Sequence, residues 1–70
     1  MVDFGLVIRE RRRDLSLTQE DLADLAQVSE RLVRSIEAGK QTVQLDKLSR
    51  VLSALGLELA VVTHIPEALR

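Results

Sequence analysis

Seventy residues with a formal net charge of −1, no cysteine and a single histidine exclude disulfides, thiolate metal sites and any metal centre built on histidines. With 46% apolar and 30% charged residues the chain reads as one globular domain, residues 1–70, near the lower size limit for a self-sufficient core, so help from a partner subunit is expected. No apolar run approaches the roughly 20 residues of a membrane span, and the first residues lack a signal-peptide apolar region, which makes the cytoplasm the expected location and leaves no membrane partner.

A first helix is expected over residues 3–14, with Asp3 as N-cap and Phe4, Val7, Ile8 and Leu15 at helical spacing. Its other faces carry the run RERRR at 9–13. Taken alone this run is a solvated helix face; together with Arg31 and Arg34 it becomes a local basic surface on a chain whose net charge argues against binding by bulk positive charge.

The stretch LTQEDLADLA opens the second helix. Thr18 is the expected N-cap, Asp21 stands three residues on as a shortened capping-box acid, and Leu17 and Leu22 are placed to form a hydrophobic staple. Leu22, Ala23, Leu25 and Ala26 form its apolar face. In SERLVRSIEAG, Ser29 caps a third helix, Val28 and Val33 repeat the staple, and Gly39 supplies a left-handed stop. Only Leu32, Val33 and Ile36 are strongly apolar there, so most of this helix is expected to face outward. The fourth helix spans residues 45–55, with Leu45, Leu48, Val51, Leu52 and Leu55 inward, a weak N-cap in Gln44 or Thr42, and Gly56 as terminator.

LELAVVT follows at 57–63. β-Branched Val61, Val62 and Thr63 favour a strand, and Gly56 and Pro66 bound it, although Leu57, Leu59 and Val61 suit either a strand or a helix. Residues 64–70 form a short tail, in which His64 is a polar residue after the strand.

Only AQVS separates the second and third helices. So short a connection between two capped helices forces a steep crossing, where only a small side chain fits between the backbones. Ala23 is placed for that contact, and Val28, Val33 and Ile36 would seal the corner against the first and fourth helices. This is the pattern of a helix-turn-helix, whose second helix enters the DNA major groove.

LTQEDLADLAQVSERLVRSIEAGK followed by LDKLSRVLSALGLEL resembles the Cro/phage-repressor-like (XRE) helix-turn-helix family over about residues 3–57, with Gln19, Ala23, Val28, Val33, Ile36, Glu37 and Gly39 at the family spacing. Gln27 and Ser16 depart from it, standing where the family usually has glycine at positive φ; a side chain there costs of order 1 kcal/mol. The resemblance implies an all-α, lambda-repressor-like domain of four helices, here with a C-terminal β-strand. It also implies base-edge contacts from the start of the third helix: Ser29, Glu30, Arg31, Arg34 and Ser35. Arg31 is the first candidate for guanine recognition and Arg34 the second, because a guanidinium donates two parallel hydrogen bonds to O6 and N7; a phosphate contact or a solvated side chain is the alternative for each. Glu30 either accepts from cytosine N4 or, the favoured reading, positions Arg34 one turn on. Phosphate contacts are expected from Thr18, Gln19 and free N–H groups at the start of the second helix, and from Lys40, Gln41 and Thr42 on the opposite side. Arg12 and Glu37 occupy the positions of an arginine–glutamate ion pair that in phage repressors links the first helix to the third.

One recognition helix covers too few base pairs for useful specificity, so a homodimer on a double-stranded operator with two half-sites is expected. An unpaired strand is costly to leave exposed, and Leu57, Glu58, Leu59, Ala60, Val61, Val62 and Thr63 could pair with their own copies across a two-fold axis. A terminal strand distinguishes this chain from ordinary phage repressors and resembles the HipB-type antitoxins. That resemblance implies autoregulation of an operon and a HipA-like kinase toxin as partner, with the tail either holding the toxin or fraying. A stand-alone regulator without a toxin and a protein-interaction module without DNA remain the alternatives. No convergent acid/base set is present, so neither enzyme activity nor a cofactor is expected.

Overall fold

The computed structural model describes residues 3–40 and 42–69, which form four α-helices: α1 (Phe4–Asp14), α2 (Gln19–Ala26), α3 (Glu30–Glu37) and α4 (Leu45–Ala54). Each of the first three helices starts where a short polar side chain meets its free N–H groups. Asp3 Oδ1 accepts from Leu6 N at 3.0 Å, Thr18 Oγ1 from Asp21 N at 3.0 Å, and Ser29 Oγ from Leu32 N at 3.0 Å. Thr18 and Asp21 complete a reciprocal box, since Thr18 N donates to Asp21 Oδ2 at 2.9 Å. These hydrogen bonds from Thr18 hold the Asp21 carboxyl below the usual carboxylate range. Gln44 at the start of α4 makes no side-chain cap.

All four helices end in the same way. Ser16, Gln27, Gly39 and Gly56 take positive φ, at 57°, 57°, 99° and 72°. In each case the next residue's N–H turns back five residues to a helix carbonyl: Leu17 to Arg12, Val28 to Ala23, Lys40 to Ser35, and Leu57 to Leu52. This is the Schellman arrangement. Glycine suits it at two ends, while Ser16 and Gln27 adopt it with a side chain at a cost.

The core joins Ile8 of α1 to Leu22, Ala23 and Ala26 of α2, Val33 and Ile36 of α3, and Leu48, Val51, Leu52 and Leu55 around α4. Full burial of each large aliphatic residue contributes about 1.5–3 kcal/mol, and Ile8, Leu22, Val33, Val51 and Leu55 are all wholly buried. Ala23 is 3% exposed at the α2–α3 corner.

Several expected core positions lie outside. Phe4, Val7 and Leu15 are between 41% and 44% exposed, Leu25 61% and Leu45 67%. Of the expected α1 positions Ile8 does face inward, and Gly5 and Arg12, one turn to either side of it, complete the stripe. Gly5 is buried because α3 ends directly against it: a Cβ there would overlap the Ile36 carbonyl oxygen and lie 3.1 Å from that of Glu37.

The expected strand is also corrected. Leu57, Glu58, Leu59, Ala60, Val61, Val62 and Thr63 carry neither helix nor strand, and no strand occurs among the described residues. The physical reason is simple: a β-ladder needs a second extended segment, and no strand elsewhere among the described residues supplies one. Leu57 packs against the core, whereas Val61 and Val62 stand free in solvent. Residues 67–69 form one 3-10 turn (Glu67–Leu69).

Candidate nucleic-acid interface

The corner between α2 and α3 is built from two end motifs placed back to back. Gln27, at φ 57° and ψ 46°, closes α2; Val28 turns in against the core; Ser29, at φ −74° and ψ 149°, already caps α3. Three residues therefore redirect the chain, and α3 projects with a cleanly divided surface. Val33 and Ile36 are buried and Leu32 half-buried on one side. Ser29, Glu30, Arg31, Arg34 and Ser35 share the other, with Ser29, Arg31 and Arg34 exposed and Glu30 and Ser35 partly covered.

Charge on that outer face is arranged unevenly. Arg34 Nη2 lies 3.0 Å from Glu30 Oε1, one turn back, and both side chains are well exposed. A pair in that setting is worth a few tenths of a kcal/mol and holds the Arg34 guanidinium over the helix. Arg31 has no side-chain partner among the described residues. Its five donors are free for an incoming acceptor.

The tilt of α3 is fixed from behind. Arg12 Nε donates to Glu37 Oε2 at 2.8 Å, Arg12 Nη2 to Glu37 Oε1 at 2.9 Å, and Arg12 Nη1 to the Leu17 carbonyl at 2.8 Å. This two-pronged geometry is the strongest form of ion pair, and the side chains are only 11% and 4% exposed. The hydrogen bonds to Glu37 raise the Arg12 guanidinium above its already high range, so the arginine stays charged. Gln19 Nε2 makes a longer bond to Glu37 Oε1, at 3.4 Å. The structure thus brings Arg12, Glu37 and Gln19 into one network joining α1, α2 and α3.

The other candidate residues are spread around this network. Thr18 is exposed, but its backbone N–H and its hydroxyl oxygen are both occupied by Asp21. Lys40 and Thr42 are exposed beyond α3. Gln41 lies outside the described residues.

Two contributors were not legible from the residues. Gly5 permits the close approach of α1 to the end of α3, and a buried glycine without positive φ leaves no signature in a single sequence. Arg11 Nε donates to the carbonyl of Leu55 at 2.9 Å. It thereby satisfies an otherwise free acceptor at the end of α4, a role that nothing in RERRR distinguishes from a solvated arginine.

Comparison with known proteins agrees with this geometry. A family model described as helix-turn-helix matches residues 8–62. An uncharacterised HTH-type transcriptional regulator, y4mF, of Sinorhizobium fredii (strain NBRC 101917 / NGR234) is 37% identical over 59 residues, covering 84% of this chain and 78% of that protein. An uncharacterised HTH-type transcriptional regulator of Methanothermobacter thermautotrophicus is 38% identical over 52 residues, covering 74% of this chain and 75% of its own.

Proposed function

Since the chain belongs to the XRE-type helix-turn-helix family, we propose that it is a sequence-specific DNA-binding transcriptional repressor that presents α3 to the major groove. The observation that carries this reading is the outer face of α3, where Arg31, in the first turn, stands exposed and without a side-chain partner among the described residues. Ser29, Glu30, Arg34 and Ser35 surround it. In this reading Arg31 reads a guanine through O6 and N7, and Arg34, held by Glu30, is the second base reader. Gln19 touches phosphate on one side; Lys40, Gln41 and Thr42 do so on the other.

The working unit proposed is a homodimer, with two copies of α3 about 34–36 Å apart on an operator of two half-sites. Support comes from the C-terminal segment, where Val61 and Val62 are largely bare and Leu59 and Ile65 are partly exposed apolar residues. Pairing residues 57–63 with a second copy would supply the missing ladder and cover part of this surface. The biological setting proposed is that of an antitoxin paired with a HipA-like kinase toxin and repressing its own operon, as the resemblance to HipB-type proteins implies. A kinase-like gene beside this one would support that setting, and its absence would favour a stand-alone regulator.

The base-reading role is tested by Arg31→Ala. Binding to a selected duplex should weaken by about 1–3 kcal/mol, with base preference relaxed at one position of each half-site. Equal discrimination among base-pair variants before and after the substitution would refute the assignment.

A further inference from the structure

Behind the recognition helix lies an open notch of about 250 Å³, lined among others by Arg9, Arg12 and Arg13 of α1, Gln19 of α2, and Arg34 and Glu37 of α3. Its floor is the Arg12–Glu37 pair, whose charges cancel. Arg9 and Arg13 stand one helical turn apart on its rim, both exposed, and neither has a side-chain partner among the described residues. Glu10 and Asp14, the acidic neighbours of these arginines in sequence, do not line it. The notch therefore carries unbalanced positive charge above a neutral, hydrogen-bonded base.

The start of α2, where an anion would otherwise be drawn, is already occupied by its own acids. Glu20 and Asp21 fill its first turn, and Asp21 takes the N–H of Thr18 as well as a share of the helix field. A phosphate arriving there meets two carboxylates. A short distance away, past Gln19, it meets two free guanidiniums. Arg34 belongs both to the notch and to the outer face of α3, so a duplex lying along α3 brings its backbone to the mouth of this site.

We infer that the notch is an anion site that takes one phosphodiester of the DNA backbone, gripped by Arg9 and Arg13, so that α1 contacts the duplex as well as α2 and α3. This rests on the DNA-binding reading above. Guanidinium suits the task because its planar fork donates to two phosphate oxygens at once. The contact carries no base information. It fixes the height and register of the protein on the duplex, while the neutral pair beneath keeps α3 at its angle. The run RERRR is thereby divided by function: Arg11 closes α4, Arg12 orients α3, and Arg9 and Arg13 hold phosphate.

The test uses a duplex recovered from a random-sequence pool by the wild-type protein, with affinity measured from 50 to 200 mM salt. The double variant Arg9→Gln/Arg13→Gln should reduce the slope of log affinity against log salt by about 0.9, the value of one phosphate contact. Over that fourfold range the variant should lose about 3.5-fold less affinity than the wild type, with its preference among base-pair variants intact. Arg9→Lys/Arg13→Lys should restore most of the slope. An unchanged slope in the glutamine variant, while Arg31→Ala still relaxes base preference, would overturn the notch contact and leave the DNA reading standing. A wild-type protein that recovers no duplex would overturn both. Both side chains are exposed, so the glutamine variant should melt with the wild type; a marked drop would make the two arginines part of the fold and end the proposal.

Discussion

Gly5→Ala is expected to destabilise the protein by about 2 kcal/mol, from a total on the order of 3.5–10 kcal/mol for a domain of this size. The added Cβ overlaps the Ile36 carbonyl oxygen, which is backbone and cannot rotate aside as a flexible side chain would. Either α1 or the last turn of α3 must move. The usual gain of alanine over glycine in a helix, up to about 1 kcal/mol, is too small to offset that displacement. Gly5→Val, with more volume at the same contact, should cost more. Because Arg12 lies two turns further along the same stripe, the shift also spoils the Arg12–Glu37 geometry, so DNA affinity should fall together with stability. Thermal unfolding at fixed protein concentration reads the effect as a loss of about 8–16 °C. Leu6→Ala, at a side chain 49% exposed beside it, should change little. An unaltered melting temperature in Gly5→Ala would contradict the close approach of the two helices.

Glu37→Ala should cost about 3 kcal/mol, because it leaves the Arg12 guanidinium largely buried with one carbonyl as its remaining partner. The origin of the loss is an uncompensated charge rather than the worth of the pair itself, which sits at the floor of an open notch and is modest in net terms. Glu37→Gln separates the two: it keeps an acceptor for one Arg12 donor and removes the countercharge, so its loss should fall between the wild type and alanine. Both variants should weaken DNA binding, since α3 is steered by this contact and by the Gly5 approach. Urea unfolding combined with duplex titration makes the measurement. Stability and affinity both unaffected in Glu37→Gln would remove the pair from any role in orienting α3.

These two substitutions also mark where the sequence stops being legible. The helix starts were readable because Asp3, Thr18 and Ser29 are short polar side chains placed where free N–H groups begin. The corner between α2 and α3 was readable because a connection as short as AQVS between two capped helices allows few geometries. Positive φ at Ser16 and Gln27 was expected from their places in the motif, and it is present at both. The inner stripe of α1 was readable only in part. Hydrophobic periodicity picks out Phe4, Val7, Ile8 and Leu15, of which only Ile8 is buried; Arg12 was placed by the family resemblance and is held by a partner 25 residues away, and Gly5, selected by closeness, left no signal. Apolar character signals burial only where burial is achieved by an apolar side chain.

The C-terminal segment shows the opposite failure. Val61, Val62 and Thr63 carry strand propensity, but propensity cannot supply a neighbour, and within one chain the residues remain extended from the body in solvent. An edge forms only where a second extended segment lies alongside. Arg31 and Arg34 are alike in this: their place on the outer face of α3 follows from the spacing of Val33 and Ile36, whereas the role proposed for them requires a duplex.

The most direct measurement is the stoichiometry and footprint of the complex with a duplex recovered from a random-sequence pool. Two chains per duplex are expected, protecting two related half-sites whose centres lie about one helical turn apart on one face of the DNA. Recovery of no preferred sequence, or a single chain protecting a single isolated site, would contradict a paired reading of DNA by α3.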